Sequence, residues 1–85
     1  VARLRFRIEQ VLADRGIVFA RPLDVGELRL TPHSTLGVRP VRHFDLPRKV
    51  REDGSLDYEL VGFFLRNPAD AVHFPVGAVV VYADD

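Results

Sequence analysis

Eighty-five residues carrying 12 basic and 12 acidic side chains, for a formal charge of zero, fit one small domain and argue against bulk DNA or an anionic membrane as an electrostatic partner. With 47% hydrophobic and 28% charged residues, the composition is that of a folded globular domain and not of a disordered or fibrous chain. The absence of Cys removes disulfides, thiol nucleophiles and cysteine-based zinc sites, and the longest apolar run, Val76 to Ala83 broken by Gly77, is far shorter than the ~20 residues of a membrane helix.

Arg3-Leu4-Arg5-Phe6-Arg7-Ile8-Glu9 alternates charged and apolar residues, which predicts a strand with Leu4, Phe6 and Ile8 facing the core. Ala13-Asp14-Arg15-Gly16 supplies a turn, and Ile17-Val18-Phe19-Ala20 returns as a second strand with Phe19, like Phe6, directed inward. The i, i+3, i+4 spacing of Ile8, Val11 and Leu12 also fits a short helix ending at Arg15. Pro22, Asp24 and Gly26 mark a turn before a short alternating strand, Glu27-Leu28-Arg29-Leu30. A polar loop from Thr31 to Gly37 leads into Val38 to Phe44, a strand that Pro40 confines to an edge or a bulge. Asp53-Gly54 is a hairpin signal joining the stretch that ends near Val50 to one long strand from Leu56 to Leu65. In that strand Leu56, Tyr58 and Leu60 alternate inward, and Val61 to Leu65 is apolar on both faces. Asn67-Pro68 ends it, and Val76-Gly77 leads into a last strand over Ala78 to Tyr82.

Six to seven strands with little helix predict an all-β fold, a small closed or partly open antiparallel barrel in which residues 1–85 form one domain. Closure is favoured because an open sheet of this size would expose long apolar edges. The expected core is Leu4, Phe6, Ile8, Leu60, Phe64 and Val80. Charge is unevenly spread. Residues 38–51 carry five basic groups against Asp45 alone, and residues 52–85 carry seven acidic groups against Arg66 alone. Paired as strands these blocks neutralise each other, which is the expected arrangement; held apart, the first would be a basic patch.

Phe6-Arg7-Ile8-Glu9-Gln10-Val11, the Gly turn, Ile17-Val18-Phe19-Ala20-Arg21 and Val25-Gly26-Glu27-Leu28 resemble the opening of the second domain of translational GTPases such as elongation factor Tu. Phe74-Pro75-Val76-Gly77-Ala78-Val79-Val80 is similar to the close of the same barrel. The resemblance covers the first thirty residues and the last dozen, and implies a six-stranded barrel that binds RNA or protein and performs no catalysis of its own. No Gly-rich phosphate loop ending in Lys-Ser or Lys-Thr is present.

The chemical inventory is short. His33, His43 and His73 are the one imidazole set, without a metal-ligand spacing among them. His43 and Asp45 lie two apart on an expected strand and so share a face, where a surface His–Asp hydrogen bond is expected. Ser34 and Ser55 sit in turns without a nucleophile elbow, and Asp57 and Glu59 are expected to meet arginines across the sheet. Eleven of the basic residues are Arg, and Arg3, Arg5 and Arg7 project from one face ~7 Å apart, close to a phosphate repeat. Joined by Arg39 and Arg42 they would form a nucleic-acid-binding face; the expectation set against it pairs the arginines with Glu9, Asp57 and Glu59.

The sequence therefore predicts a non-catalytic binding or interaction module with no cofactor or metal, contacting protein or RNA. The alternatives are a small metal-dependent or acid/base enzyme using His43, Asp45, His33 and His73, and an oligomerisation module in which the Pro40 edge and the Val79 to Val81 strand pair with a second copy. Without a charged n-region and apolar h-region no signal peptide is expected, so the expected location is cytoplasmic; lacking Met, the chain begins after processing or belongs to something larger.

Overall fold

The computed structural model describes residues 3–24, 26–45, 49–50, 53, 56–57 and 60–84. These form β1 (Arg3–Leu12), β2 (Ile17–Pro22), β3 (Thr35–Leu36), β4 (Arg39–Asp45), β5 (Lys49–Val50), β6 (Leu56–Asp57), β7 (Val61–Leu65) and β8 (Val79–Ala83), with a 3-10 helix over Pro68–His73. Six strands close an antiparallel barrel in the order β1-β2-β7-β4-β3-β8, and β5 pairs with β6 in a separate ribbon. Among the described residues no helix is long and apolar enough to cross a membrane.

β1 buries Leu4, Phe6 and Ile8 as its alternation predicts. After Ile8 the ladder with β2 shifts, from Ile8 opposite Ala20 to Gln10 opposite Phe19, so Glu9 is the extra residue of a bulge and Val11 becomes the next residue packed on the core. The three-residue step from Ile8 to Val11 is thus a bulge in a strand and not a helical turn. Gly16 closes the hairpin at φ 66°, the left-handed region open to glycine.

The core is aromatic at its centre. Phe6 meets Phe63 edge-on at 5.0 Å between centroids, Phe63 stacks on Tyr82 at 5.3 Å, and all three are buried. Ala71 and Phe74, following the Asn67 cap of the 3-10 helix, join the same cluster.

Several expectations are corrected. Phe64 faces outward and Phe63 takes the core position, while Leu60 is only half-buried. Phe19 also faces outward, its ring lying over Gly62, where a Cβ would sit 3.1 Å from it. Residues 27–30 form no strand; Arg29 instead offers its carbonyl to the Tyr82 and Ser34 hydroxyls. β4 is paired on both sides, by β3 and β7, and Pro40 is accommodated because β7 ends at Leu65, opposite Val41. The expected long strand is divided into β6, in the ribbon, and β7, in the barrel. The hairpin register matches expectation, with Val50 opposite Leu56, whereas Gly54, Tyr58 and Glu59 lie outside the described residues. Arg39 stands within 3.4 Å of Asp70, a contact between the basic and acidic blocks, and Lys49 is in register with Asp57.

Candidate functional site

Arg3, Arg5 and Arg7 share the outer face of β1, each opposite an apolar residue of β8: Ala83, Val81 and Val79. Arg5 is held by Asp24. Its Nη2 donates to Oδ1 at 2.8 Å, its Nε to Oδ2 at 3.0 Å, and its backbone N–H to Oδ2 at 2.8 Å. Arg7 donates to Glu9 at 3.1 Å, and Glu9 also receives Arg21 Nε at 2.9 Å. The expected pairing with Glu9 is therefore present for Arg7, while Asp24, in a turn, is the carboxylate that takes Arg5. The side chain of Asp57 and all of Glu59 lie outside the described residues.

The Arg5 contacts lower the Asp24 carboxyl to about 2, and hydrogen bonds from Arg21 and Arg7 lower that of Glu9. A carboxyl lowered in the folded state binds fewer protons there than in the unfolded chain. Its stabilisation is therefore present above the unfolded pKa of about 4 and is lost as pH falls toward 2. A carbon-detected NMR titration is expected to give Asp24 a midpoint near 2, and Arg5→Ala should return it toward the ordinary aspartate value. An unshifted midpoint in the native protein would show that the clamp does not persist in solution.

Arg39 and Arg42 do not extend this row. In the order β1-β2-β7-β4-β3-β8, β4 lies three strands from β1 in either direction, on the opposite side of the barrel. Arg39 meets Asp70. Arg42 occupies a second bulge, between Val41 and His43, so that Arg42 and His43 both cover Phe64, Arg42 Cζ at 5.3 Å and the His43 ring at 5.4 Å from its centroid. His43 Nε2 stands 3.6 Å from Asp45 Oδ1, too far for a hydrogen bond, with both side chains more than half exposed. His33 is in the loop before β3 and His73 ends the 3-10 helix, and no group of three metal-ligating side chains forms among the described residues.

Ser34 is buried in a structural network. Its Oγ accepts from Thr31 N–H at 2.8 Å and stands 3.0 Å from Tyr82 Oη, while Thr31 Oγ1 donates to the Asp84 carbonyl at 2.7 Å. Tyr82 Oη also bonds the Arg29 carbonyl, and burial raises the phenol pKa. These hydroxyls fasten the loop before β3 to β8 and leave Ser34 inaccessible. Ser55 is outside the described residues.

Sequence reasoning missed the β3–β4 turn. Gly37 and Val38 form a two-residue hairpin turn with φ of 54° and 63°, a conformation that Asn-Gly and similar pairs adopt without strain. Val38 is 86% exposed, and beside it Val79 and Val81 are 56% and 42% exposed. Together with Arg3, Thr35 and Ala83 they line an open groove of about 550 Å3 between β8 and the turn.

Comparison with family models, curated proteins and solved structures yields no match.

Proposed function

We propose that this barrel is a non-catalytic interaction module that docks a protein partner on the face formed by β8 and the β3–β4 turn. The observation that carries the reading is Val38, a β-branched residue at φ 63° and 86% exposed. Such a residue costs about 1–3 kcal/mol where Gly or Asn would be relaxed, and outliers of this kind cluster at contact sites. Its neighbours Val79 and Val81 extend it into one apolar surface, the kind that marks an interaction site. An RNA contact along the arginine row is less favoured, because Arg5 and Arg7 are already engaged by Asp24 and Glu9. An enzyme using His43 and Asp45 is less favoured too, since the pair lies open to water and lines no described cavity with His33 or His73.

The test is selection of ligands from a random displayed-peptide library, followed by affinity measurement against variants. Val79→Glu with Val81→Glu is expected to weaken the selected peptides at least ~10-fold, and both substitutions lie on the outer face, leaving the melting transition nearly unchanged. Val38→Asn should raise stability by about 1 kcal/mol while weakening the same peptides, the trade expected of a strained contact residue. Peptides indifferent to all three substitutions would overturn the reading. So would a single-stranded RNA complex at physiological salt with a log–log slope near −0.7 per phosphate, lost on replacing Arg5 and Arg7.

A further inference from the structure

We infer that the open pocket between the loop before β3 and the end of β7 is a binding site for a phosphate group, held by Arg66 and His33. The inference stands apart from the proposed docking face on β8, with which this pocket shares Thr35 alone.

Arg66 carries the first step. Arg5, Arg7, Arg21 and Arg39 each pair with a carboxylate. Arg66 lies in the acidic block of residues 52–85, yet it meets no carboxylate among the described residues. Its Nη2 donates instead to the Pro32 carbonyl at 3.1 Å, and its backbone N–H donates to the Pro40 carbonyl at 2.9 Å. Fastened at both ends, the side chain bridges β4 and the loop, so little rotamer freedom remains to be lost when a ligand binds. One of the five guanidinium N–H donors is used on Pro32, and the others are open to an anion.

The loop opposite is held as firmly. Thr31 N–H donates to Ser34 Oγ at 2.8 Å, Ser34 N–H to the Thr31 carbonyl at 3.1 Å, and His33 N–H to Thr31 Oγ1 at 3.1 Å. His33 lines the pocket between these anchors, and its imidazole has no partner among the described residues. Thr35, half-buried on β3, brings a hydroxyl. Ser34, Pro32 and Pro40 complete the lining, to which no carboxylate contributes.

A guanidinium, an imidazole and a hydroxyl from three separate elements suit phosphate better than carboxylate. The two coplanar oxygens of a carboxylate are satisfied by the guanidinium fork alone. A phosphate group presents three strong acceptor oxygens in different directions, and so uses the imidazole and the hydroxyl as well. The pocket volume of about 300 Å3 has room beyond the phosphate itself, which admits the group as the free ion or as a monoester.

The probes are inorganic phosphate, phosphoserine blocked at both ends, and acetate, each titrated into the intact chain at constant ionic strength with amide NMR as readout. Both phosphates are expected to give saturable shifts at His33, Thr35 and Arg66, at least ~10-fold tighter than acetate. Arg66→Gln should weaken phosphate at least ~10-fold. His33→Asn, which removes no bond that holds the fold, should weaken it about 3-fold and leave the melting transition unchanged. Blocked phosphoserine binding tighter than the free ion would make the source a phosphorylated chain, and equal affinity would make it the free ion; both support the site. Shifts that fail to saturate, acetate binding as tightly as phosphate, or phosphate affinity indifferent to His33→Asn and Arg66→Gln would each overturn the inference. Because Val79 and Val81 lie outside this pocket, none of those failures would touch the docking reading.

Discussion

Phe63→Ala is expected to cost about 3–5 kcal/mol, whereas Phe64→Ala, one residue along, should cost only about 1 kcal/mol. Phe63 is fully buried and touches both Phe6 and Tyr82, so truncation opens a cavity at the centre of the barrel that its neighbours cannot refill without breaking their own edge-on and stacked geometry. Phe64 lies half-buried on the outside beneath Arg42 and His43, which can settle toward the strand once the ring is gone. Urea denaturation of the two variants measures the difference directly. Equal losses would mean that the strand's inward phase is wrong. The loss at Phe63 is a large part of the stability of so small a domain.

The second large effect is expected at Gly16. Its φ of 66° is one that an L-residue adopts at a cost, and a Cβ there would stand 2.5 Å from Pro68 Cα, a backbone atom that no rotamer change can move. The neighbouring Leu65 N–H donates to the Gly16 carbonyl at 2.9 Å, so displacing the turn also strains the end of β7. Gly16→Ala should therefore cost about 3 kcal/mol by thermal melting, conformational strain and overpacking together. By contrast Gly77→Ala has an open space to enter, and its cost should be that of its φ of 90° alone. A Gly16→Ala protein as stable as the parent would show that the turn and the 3-10 helix do not pack as described.

The barrel was legible in the sequence wherever one face of a strand is polar. Arg3 to Ile8 announces its own phase, and the Gly16 turn fixes the partner. Where both faces are apolar, as in Val61 to Leu65, alternation is silent, and Phe63 and Phe64 could be told apart only by the bulge that puts Arg42 and His43 over one of them. Residues 27–30 alternate like a strand, yet their carbonyl partner is a phenol 53 positions away in Tyr82. Among the site candidates, the row of Arg3, Arg5 and Arg7 was readable from period two. That Asp24 would clamp Arg5, or that β4 would carry Arg39 and Arg42 to the far side, depends on strand order around the barrel, which no local pattern encodes. Val38 escaped notice because its importance lies in a backbone angle.

The seam between β1 and β8 has a kinetic consequence. It joins Arg3 to Ala83, residues at opposite ends of the sequence, whereas β1 and β2 are linked by a four-residue turn. Ordering nearly the whole chain before the seam can zip is entropically slow, so the β1–β2 hairpin belongs early in folding and the β8 strand docks last. Strands that dock last are also the first to detach in local opening. The strand that carries the exposed Val79 and Val81 is thus the one that leaves the barrel most readily, and the hold of β1 on it acts as a latch on the whole fold.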